Sequence, residues 1–278
     1  MIGKMIALGL VDGQEVAALM VDGVLEDLAF AEEGLATGAI LRGVVGRPVK
    51  GLGGVFVDLP GGESGFLRAP KGLAPGQRIL VQIAGAAEPG KALPLTQRLL
   101  FKSRYAIVTP DAPGLNISRT IRDEEVRAEL AALATEVMGG AEDNLGLILR
   151  SVCEAAPDEE IAEDIAQMRA LAEAVLADVA GEPELLVDAP GPHERAWRDW
   201  GDADAVDDSE AALDQSGALD QIALLRGAEV RLDGGASMSI EATRAFVAVD
   251  VNTGADTSTA AGLKASIAAA RALPRKLR

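Results

Sequence analysis

Two dipeptides, Asp12-Gly13 and Asp22-Gly23, constrain the first part of this chain more than anything else in it. An Asp-Gly pair suits a two-residue hairpin turn, whose central positions need positive φ. Each pair interrupts a run over residues 4–30 in which apolar and polar positions alternate, so the run reads as a three-stranded antiparallel meander. From about 37 to 100, Gly/Pro-rich turns separate short strands at Ala39–Val45, Gly54–Leu59, Ser64–Leu67 and Arg78–Ile83, which suits a small five-stranded barrel. Residues 104–109 form one more strand. The period then lengthens: Asp123 caps a helix over Glu124–Met138, Asp158 caps one over Glu159–Ala180, and Leu145–Arg150 is a strand between them. Residues 190–216 read as a long acidic loop or a poorly ordered insert. Strands near Glu229–Leu232, Ser237–Glu241 and Ala245–Asp250 follow, then a helix over about Ala260–Leu273. The fold class is α+β, and 278 residues exceed the usual single domain.

Charge narrows the function. The formal net charge is −17, which taken whole argues against a polyanionic partner. Residues 151–240 hold 22 Asp/Glu against 5 Lys/Arg, and so carry the whole excess. Residues 37–100 hold 8 Lys/Arg (Arg42, Arg47, Lys50, Arg68, Lys71, Arg78, Lys91, Arg98) against 3 acids, which offers a local basic surface on the barrel. One cysteine and one histidine exclude an internal disulfide and make zinc chemistry a poor expectation. No apolar run approaches membrane-spanning length and no signal-like cleavage site follows the N-terminus, so a cytoplasmic protein without a membrane partner is expected.

Three constellations can carry chemistry. Phe56 and Phe66 lie on strands that pair across a hairpin, where two rings can form a face for unpaired bases or serve as core residues. Asn116-Ile117-Ser118-Arg119 and Leu149-Arg150-Ser151 each set a guanidinium beside a hydroxyl at a strand end, which suits a phosphate or an ordinary surface arginine. Asp250 and Asn252, two apart at the end of a strand that reads as buried, share one face and can reach one ion. A hard cation such as Mg²⁺ is a good partner for such a carboxylate, and capping the turn at Thr253-Gly254 is the competing role.

In this order the pieces resemble the catalytic domain of the bacterial ribonuclease E/G family, over essentially the full chain. The matching stretches are Val11–Phe30, Gly54–Asp58 with Gly65–Leu67, Tyr105–Pro110, Asn116–Arg119, Leu147–Ser151 and Phe246–Gly254. The resemblance implies an RNase H-like fold, residues 1–36 and, after an acidic linker, part of 189–228. It further implies an inserted S1 barrel of the OB type at 37–100, a 5′-sensor α/β subdomain at 101–188, and a partial DNase I-like subdomain at 229–278. By resemblance Phe56, Phe66, Lys91, Ser118 and Arg119 contact RNA. Ile107, Arg150 and Ser151 fall on a pocket sensing a 5′-monophosphate, Asp250 on the first metal-binding aspartate, and Asn252 on the neighbouring active-site asparagine.

Departures are visible. Ser103 stands where glycine is frequent, Ser151 where threonine is common, and Arg244 where an acid is expected. A zinc-linked tetramer, which in this family needs a Cys-Pro-x-Cys motif, is excluded. The second metal-binding aspartate is expected on a strand past Arg278, to be supplied by further residues or by a second subunit of a homodimer, and the chain as written is expected to cleave weakly or not at all. The implied activity is Mg²⁺-dependent endonucleolytic hydrolysis of single-stranded RNA, in RNA processing, ribosomal RNA included, or decay. The alternative is a non-catalytic RNA-binding protein that retains the barrel and the 5′-end pocket. A third reading makes 151–240 an acidic module for a basic partner.

Overall fold

The computed structural model of the chain describes residues 3–49, 51–68, 72–88, 90–110, 112–140 and 144–276, so Lys50 and Lys71 lie outside the described residues. The chain forms two units, one of residues up to Ala31 with those from Asp202 onward, the other Glu32–Gly201.

The first unit opens with β1 (Lys4–Val11), β2 (Gln14–Val21) and β3 (Val24–Phe30), an antiparallel meander with the expected turns. Asp12 and Gly13 have φ of 53° and 82°, Asp22 and Gly23 of 50° and 78°, the paired positive values that a type I′ hairpin requires. Met5, Ala7, Val16, Ala18 and Met20 form its buried face.

The second unit begins with β4 (Ile40–Val49), β5 (Gly54–Asp58), β6 (Ser64–Arg68), β7 (Arg78–Ile83) and β8 (Leu93–Thr96). They pair in the order β4-β5-β6-β8-β7, and β7 returns to β4, closing a five-stranded barrel. The β6–β8 pair is parallel, as in OB-type barrels, and Leu41, Val45, Val55, Val57, Leu67 and Val81 fill the interior. The sequence pattern located four of these strands; the fifth, Leu-Pro-Leu-Thr, is too short and too proline-interrupted to register.

Next comes a second sheet, β9 (Phe101–Lys102), β10 (Ala106–Pro110), β11 (Leu115–Ile117) and β12 (Leu145–Leu149), in the order β11-β12-β10-β9. Helices α1 (Glu124–Met138) and α2 (Asp158–Ala177) pack against it, with Val108, Leu147, Leu149, Leu130, Ile161 and Ile165 in the shared core. Asp123 accepts from the backbone N–H groups of Glu125 and Val126, the expected cap. Asp158 is not a cap: Pro157 occupies that position, and Asp158, Glu159 and Glu160 fill the first turn, where their charges favour the helix dipole. The unit ends with β13 (Glu184–Val187), antiparallel to β4, and α3 (Pro192–Asp199).

The first unit resumes with β14 (Ala205–Asp207), parallel to β1, then α4 (Ala212–Gln215) and α5 (Ala218–Leu225). Residues 190–216 are therefore not a loop. Ala196, Ala212 and Leu213 are buried, so a few well-spaced apolar residues outweigh an acidic average. A last sheet, β15 (Glu229–Arg231), β16 (Ser237–Ala242) and β17 (Val247–Asn252), carries α6 (Thr259–Lys276). Among the described residues no helix is long and apolar enough to cross a membrane.

Arg42 on β4 is 3% exposed. Its Nε and Nη1 donate to the carbonyls of Asp178 and Glu182, and its charge faces the Asp178 carboxylate at 2.7 Å and that of Glu184 at 3.1 Å. Removing it leaves loop carbonyls unpaired in a site closed to water. Arg42→Met is expected to lower unfolding stability by roughly 2–4 kcal/mol, against about 1 kcal/mol or less for the exposed Arg78–Glu182 pair in Arg78→Met. Equal losses in urea melts of the two variants would contradict this.

Candidate nucleic-acid interface and metal-binding strand

Alternation on β5 and β6 sends Val55, Val57 and Leu67 into the barrel and Phe56, Phe66 and Arg68 outward. Phe56 and Phe66 are direct cross-strand partners, with ring centroids 5.3 Å apart and planes at 63°. They are not core residues: Phe56 is 36% exposed. Gly54 makes room for this pair, since a Cβ there would lie 2.5 Å from both the Leu67 carbonyl oxygen and Cζ of Phe66. The basic surface is smaller than the count of charges suggests. Arg42 is buried, Arg78 faces Glu182, and Lys91 donates to the Glu88 carboxylate, which leaves Arg47, Arg68 and Arg98 as the exposed barrel cations without an ion pair among the described residues.

On the second sheet, β11 and β12 run parallel with Ile117 opposite Leu149. Their C-terminal ends therefore lie side by side, which brings Ser118-Arg119 next to Arg150-Ser151, and the Ser118 N–H donates to the Leu149 carbonyl. The Ser118 and Thr120 hydroxyls are 2.8 Å apart, and Arg119 and Ser151 are exposed. Ile107 on β10, paired with Ile148, is half-buried. Two residues after Ser151, burial pushes the Cys153 thiol up to about 11, so it is an inert core group at neutral pH.

Arg150 is held from three directions. Its Nη1 donates to the carbonyls of Ser103 (2.8 Å) and Arg198 (2.7 Å), and its Nη2 to the Asp199 carboxylate (3.1 Å). Ser103 is itself fixed: its hydroxyl donates to the Asp164 carboxylate from α2. Burial raises the Asp199 carboxyl, but the hydrogen bond from Arg198 and the charges of Arg198, Arg150 and Lys102 outweigh it and hold Asp199 below the usual range. The sequence reading missed α3 as part of this cluster. The signal was present in Arg195-Ala-Trp-Arg-Asp-Trp200, which places both tryptophans of the chain and two arginines inside the acidic stretch.

Asp250 and Asn252 share a face of β17, and the Asn252 Nδ2 donates to the Asp250 carboxylate at 3.0 Å. The strand is not buried: among the described residues it is the edge of a three-stranded sheet, and Phe246, Val247 and Val249 are 66%, 52% and 39% exposed. Register sets Val251 opposite the buried Met238, and so puts Asp250 opposite Ser239 and Asn252 opposite Ser237 on the other, polar face. Among the described residues Asp250 has no ion pair and no cluster of three or more His, Cys, Asp or Glu forms a metal site. Oxygen donors from a carboxylate and an amide are of the kind a hard cation takes.

A family model described as Ribonuclease E/G family matches residues 101–211 and 203–278. Ribonuclease E of Nostoc sp. (strain PCC 7120) is 27% identical, across 88% of this chain and 43% of its own length. Ribonuclease G of Haemophilus influenzae is 26% identical, across 86% of this chain and 60% of its own. Ribonuclease E of Synechocystis sp. (strain PCC 6803) is 28% identical, across 56% and 25%. The chain thus spans less than two thirds of each of these relatives.

Because the folded pKa of Asp199 is depressed, its contribution to stability is full above the unfolded value, about 4, and is lost as pH falls through the folded value. Asp199→Asn is expected to lower the melting temperature at pH 7, with a deficit that is constant down to about pH 4 and closes below it. A deficit independent of pH down to about pH 2 would contradict the ion-pair assignment.

Proposed function

This chain belongs to the ribonuclease E/G family, and on that premise we propose that it binds single-stranded RNA and cleaves it endonucleolytically with a divalent metal ion, Mg²⁺ by the chemistry of the donors. The observation that carries the cleavage reading is the Asp250–Asn252 pair. It presents a carboxylate on an exposed polar sheet face, oriented by an amide and faced by no protein cation among the described residues.

In this reading Asp250 holds the ion, and the Asn252 N–H fixes which carboxylate oxygen is left to do so. A bound Mg²⁺ would supply a more acidic water and positive charge against the phosphodiester. Phe56 and Phe66 give unpaired bases an edge-to-face aromatic surface, and Arg47 and Arg68 give phosphates a cation nearby on the barrel strands. Lys91, already offset by Glu88, makes a smaller contribution. Ile107, Arg150 and Ser151 form the proposed 5′-monophosphate pocket, and Ser118 and Arg119, beside Arg150 and Ser151, are proposed to contact the RNA.

Arg150 suits that role in a specific way. A guanidinium has five N–H bonds, three are used here, and the remaining two have no partner among the described residues. The subdomain plan inferred from the resemblance is proposed with the same residue bounds. The order β3-β2-β1-β14, with β14 parallel to β1, supports an RNase H-like first unit. β1 itself, Lys-Met-Ile-Ala-Leu-Gly-Leu-Val, has no acid with which to act as a nuclease strand. A role in RNA processing or decay in the cytoplasm belongs to the same proposal.

A 5′-monophosphorylated, A/U-rich oligonucleotide with Mg²⁺ tests this. Asp250→Ala is expected to lower whatever Mg²⁺-dependent cleavage the chain shows by about 100-fold or more while RNA affinity changes little. Phe56→Ala and Phe66→Ala are each expected to weaken binding by roughly 1–3 kcal/mol. Cleavage that survives Asp250→Ala would remove the metal assignment. Salt-sensitive RNA binding without any Mg²⁺-dependent cutting would favour a binding protein instead.

A further inference from the structure

We infer that Trp197 is a stacking shelf for the base at the 5′ end of a bound RNA, an inference that rests on the reading of Arg150 and Ser151 as the site of the terminal phosphate. Helix α3 buries Ala196 completely yet leaves the neighbouring Trp197 54% exposed, although a large apolar ring gains most by burial. The indole is nonetheless fixed in place. The guanidinium of Arg104 lies 3.7 Å from its ring centroid and covers one face. The same arginine donates through Nη1 to the Trp197 carbonyl and through Nη2 to that of Gly201, so ring and backbone are held by one side chain. At 54% exposure, the indole keeps surface beyond the Arg104 contact open to solvent.

This shelf adjoins the phosphate cluster through the backbone. The next residue, Arg198, gives its carbonyl to Arg150, and the one after, Asp199, gives its carboxylate. Trp197 thus comes one residue before the carbonyl and two before the carboxylate that orient Arg150, and a terminal nucleotide likewise carries its base one sugar away from its phosphate. Bases stack on indole whatever their identity, because each has a π-face, so the shelf would add affinity for a 5′ end without demanding a sequence. A Trp197 that served only to cover Arg104 would need no such exposure.

The test uses the full chain with Trp200→Phe, which leaves Trp197 as the sole tryptophan, in EDTA so that the probe stays intact. The probes are a 5′-monophosphorylated pentanucleotide with a terminal adenine, the same molecule lacking that base, and its 5′-hydroxyl form. The phosphorylated adenine probe is expected to quench Trp197 fluorescence and the abasic probe to do so far less. In the otherwise native chain Trp197→Leu is expected to bind the adenine probe roughly tenfold more weakly, Trp197→Phe to recover most of that loss, and all forms to bind the abasic probe alike. Saturating binding of the phosphorylated probe with no quenching, or an unchanged affinity in a folded Trp197→Leu, would overturn the shelf while leaving the phosphate pocket standing. Equal binding of the phosphorylated and hydroxyl probes, unaltered by Arg150→Ala, would instead remove the phosphate pocket and the inference with it.

Discussion

The second unit depends on one recurring interaction, an arginine whose guanidinium donates to two backbone carbonyls of a different segment. Arg42 binds the carbonyls of Asp178 and Glu182, Arg104 those of Trp197 and Gly201, and Arg127 those of Ser118 and Ile121. Arg150 binds those of Ser103 and Arg198, and Arg169 those of Val137 and Met138. In each case the acceptors belong to a loop, a strand end or a helix terminus that has run out of regular partners. Arg169 supplies the last turn of α1 with the cation that this turn itself lacks. A weakly hydrated, planar fork with five donors is the side chain best able to do this, and lysine could replace its charge but not its geometry.

This pattern changes what the acidic excess means. Read as an average, residues 151–240 suggest solvated, repelling chain. In the folded unit Asp178, Glu182, Glu184 and Asp199 each sit against an arginine, so part of that excess is the counter-charge of the clamps. The same bookkeeping reduces the barrel, since three of its eight basic residues are spent on internal acids. What is left to meet a polyanion is local, and its placement beside Phe56 and Phe66 matters more than the net charge of the molecule.

Sequence patterns revealed whatever local rules decide. The Asp-Gly turns, the Asp123 cap and the alternation that sets Phe56 and Phe66 on one surface all follow from positions within a few residues of each other. The pairing of Asp250 with Asn252 also follows, because residues two apart on a strand share a face. What was hidden depends on distant partners. Whether β17 is central or an edge is decided by which strands lie beside it, and among the described residues only β16 does. β11 has three residues and no signal of its own, yet its parallel pairing with β12 gathers Ser118, Arg119, Arg150 and Ser151. Helix α3 was masked by its charge, and the buried Pro192 and Ala196 together with the arginine stack explain why it folds.

The clamps also separate arginines that build from arginines that can bind. Arg42 uses its Nε, both bonds of Nη1 and an Nη2 contact, four of five donors, and it is closed to water. It has almost nothing left for a ligand, however basic it looks in the sequence. Arg150 resembles it in having two carbonyls and a carboxylate, but its Nε and one Nη2 N–H remain and it lies at a sheet end next to an exposed serine. The three bonds that take donors away from Arg150 are therefore what give the other two a fixed direction. An unheld surface arginine would have to lose its rotamer freedom on meeting a phosphate, whereas Arg150 has lost it in folding, so a phosphate bound there, as proposed, would keep more of its hydrogen-bond energy as affinity.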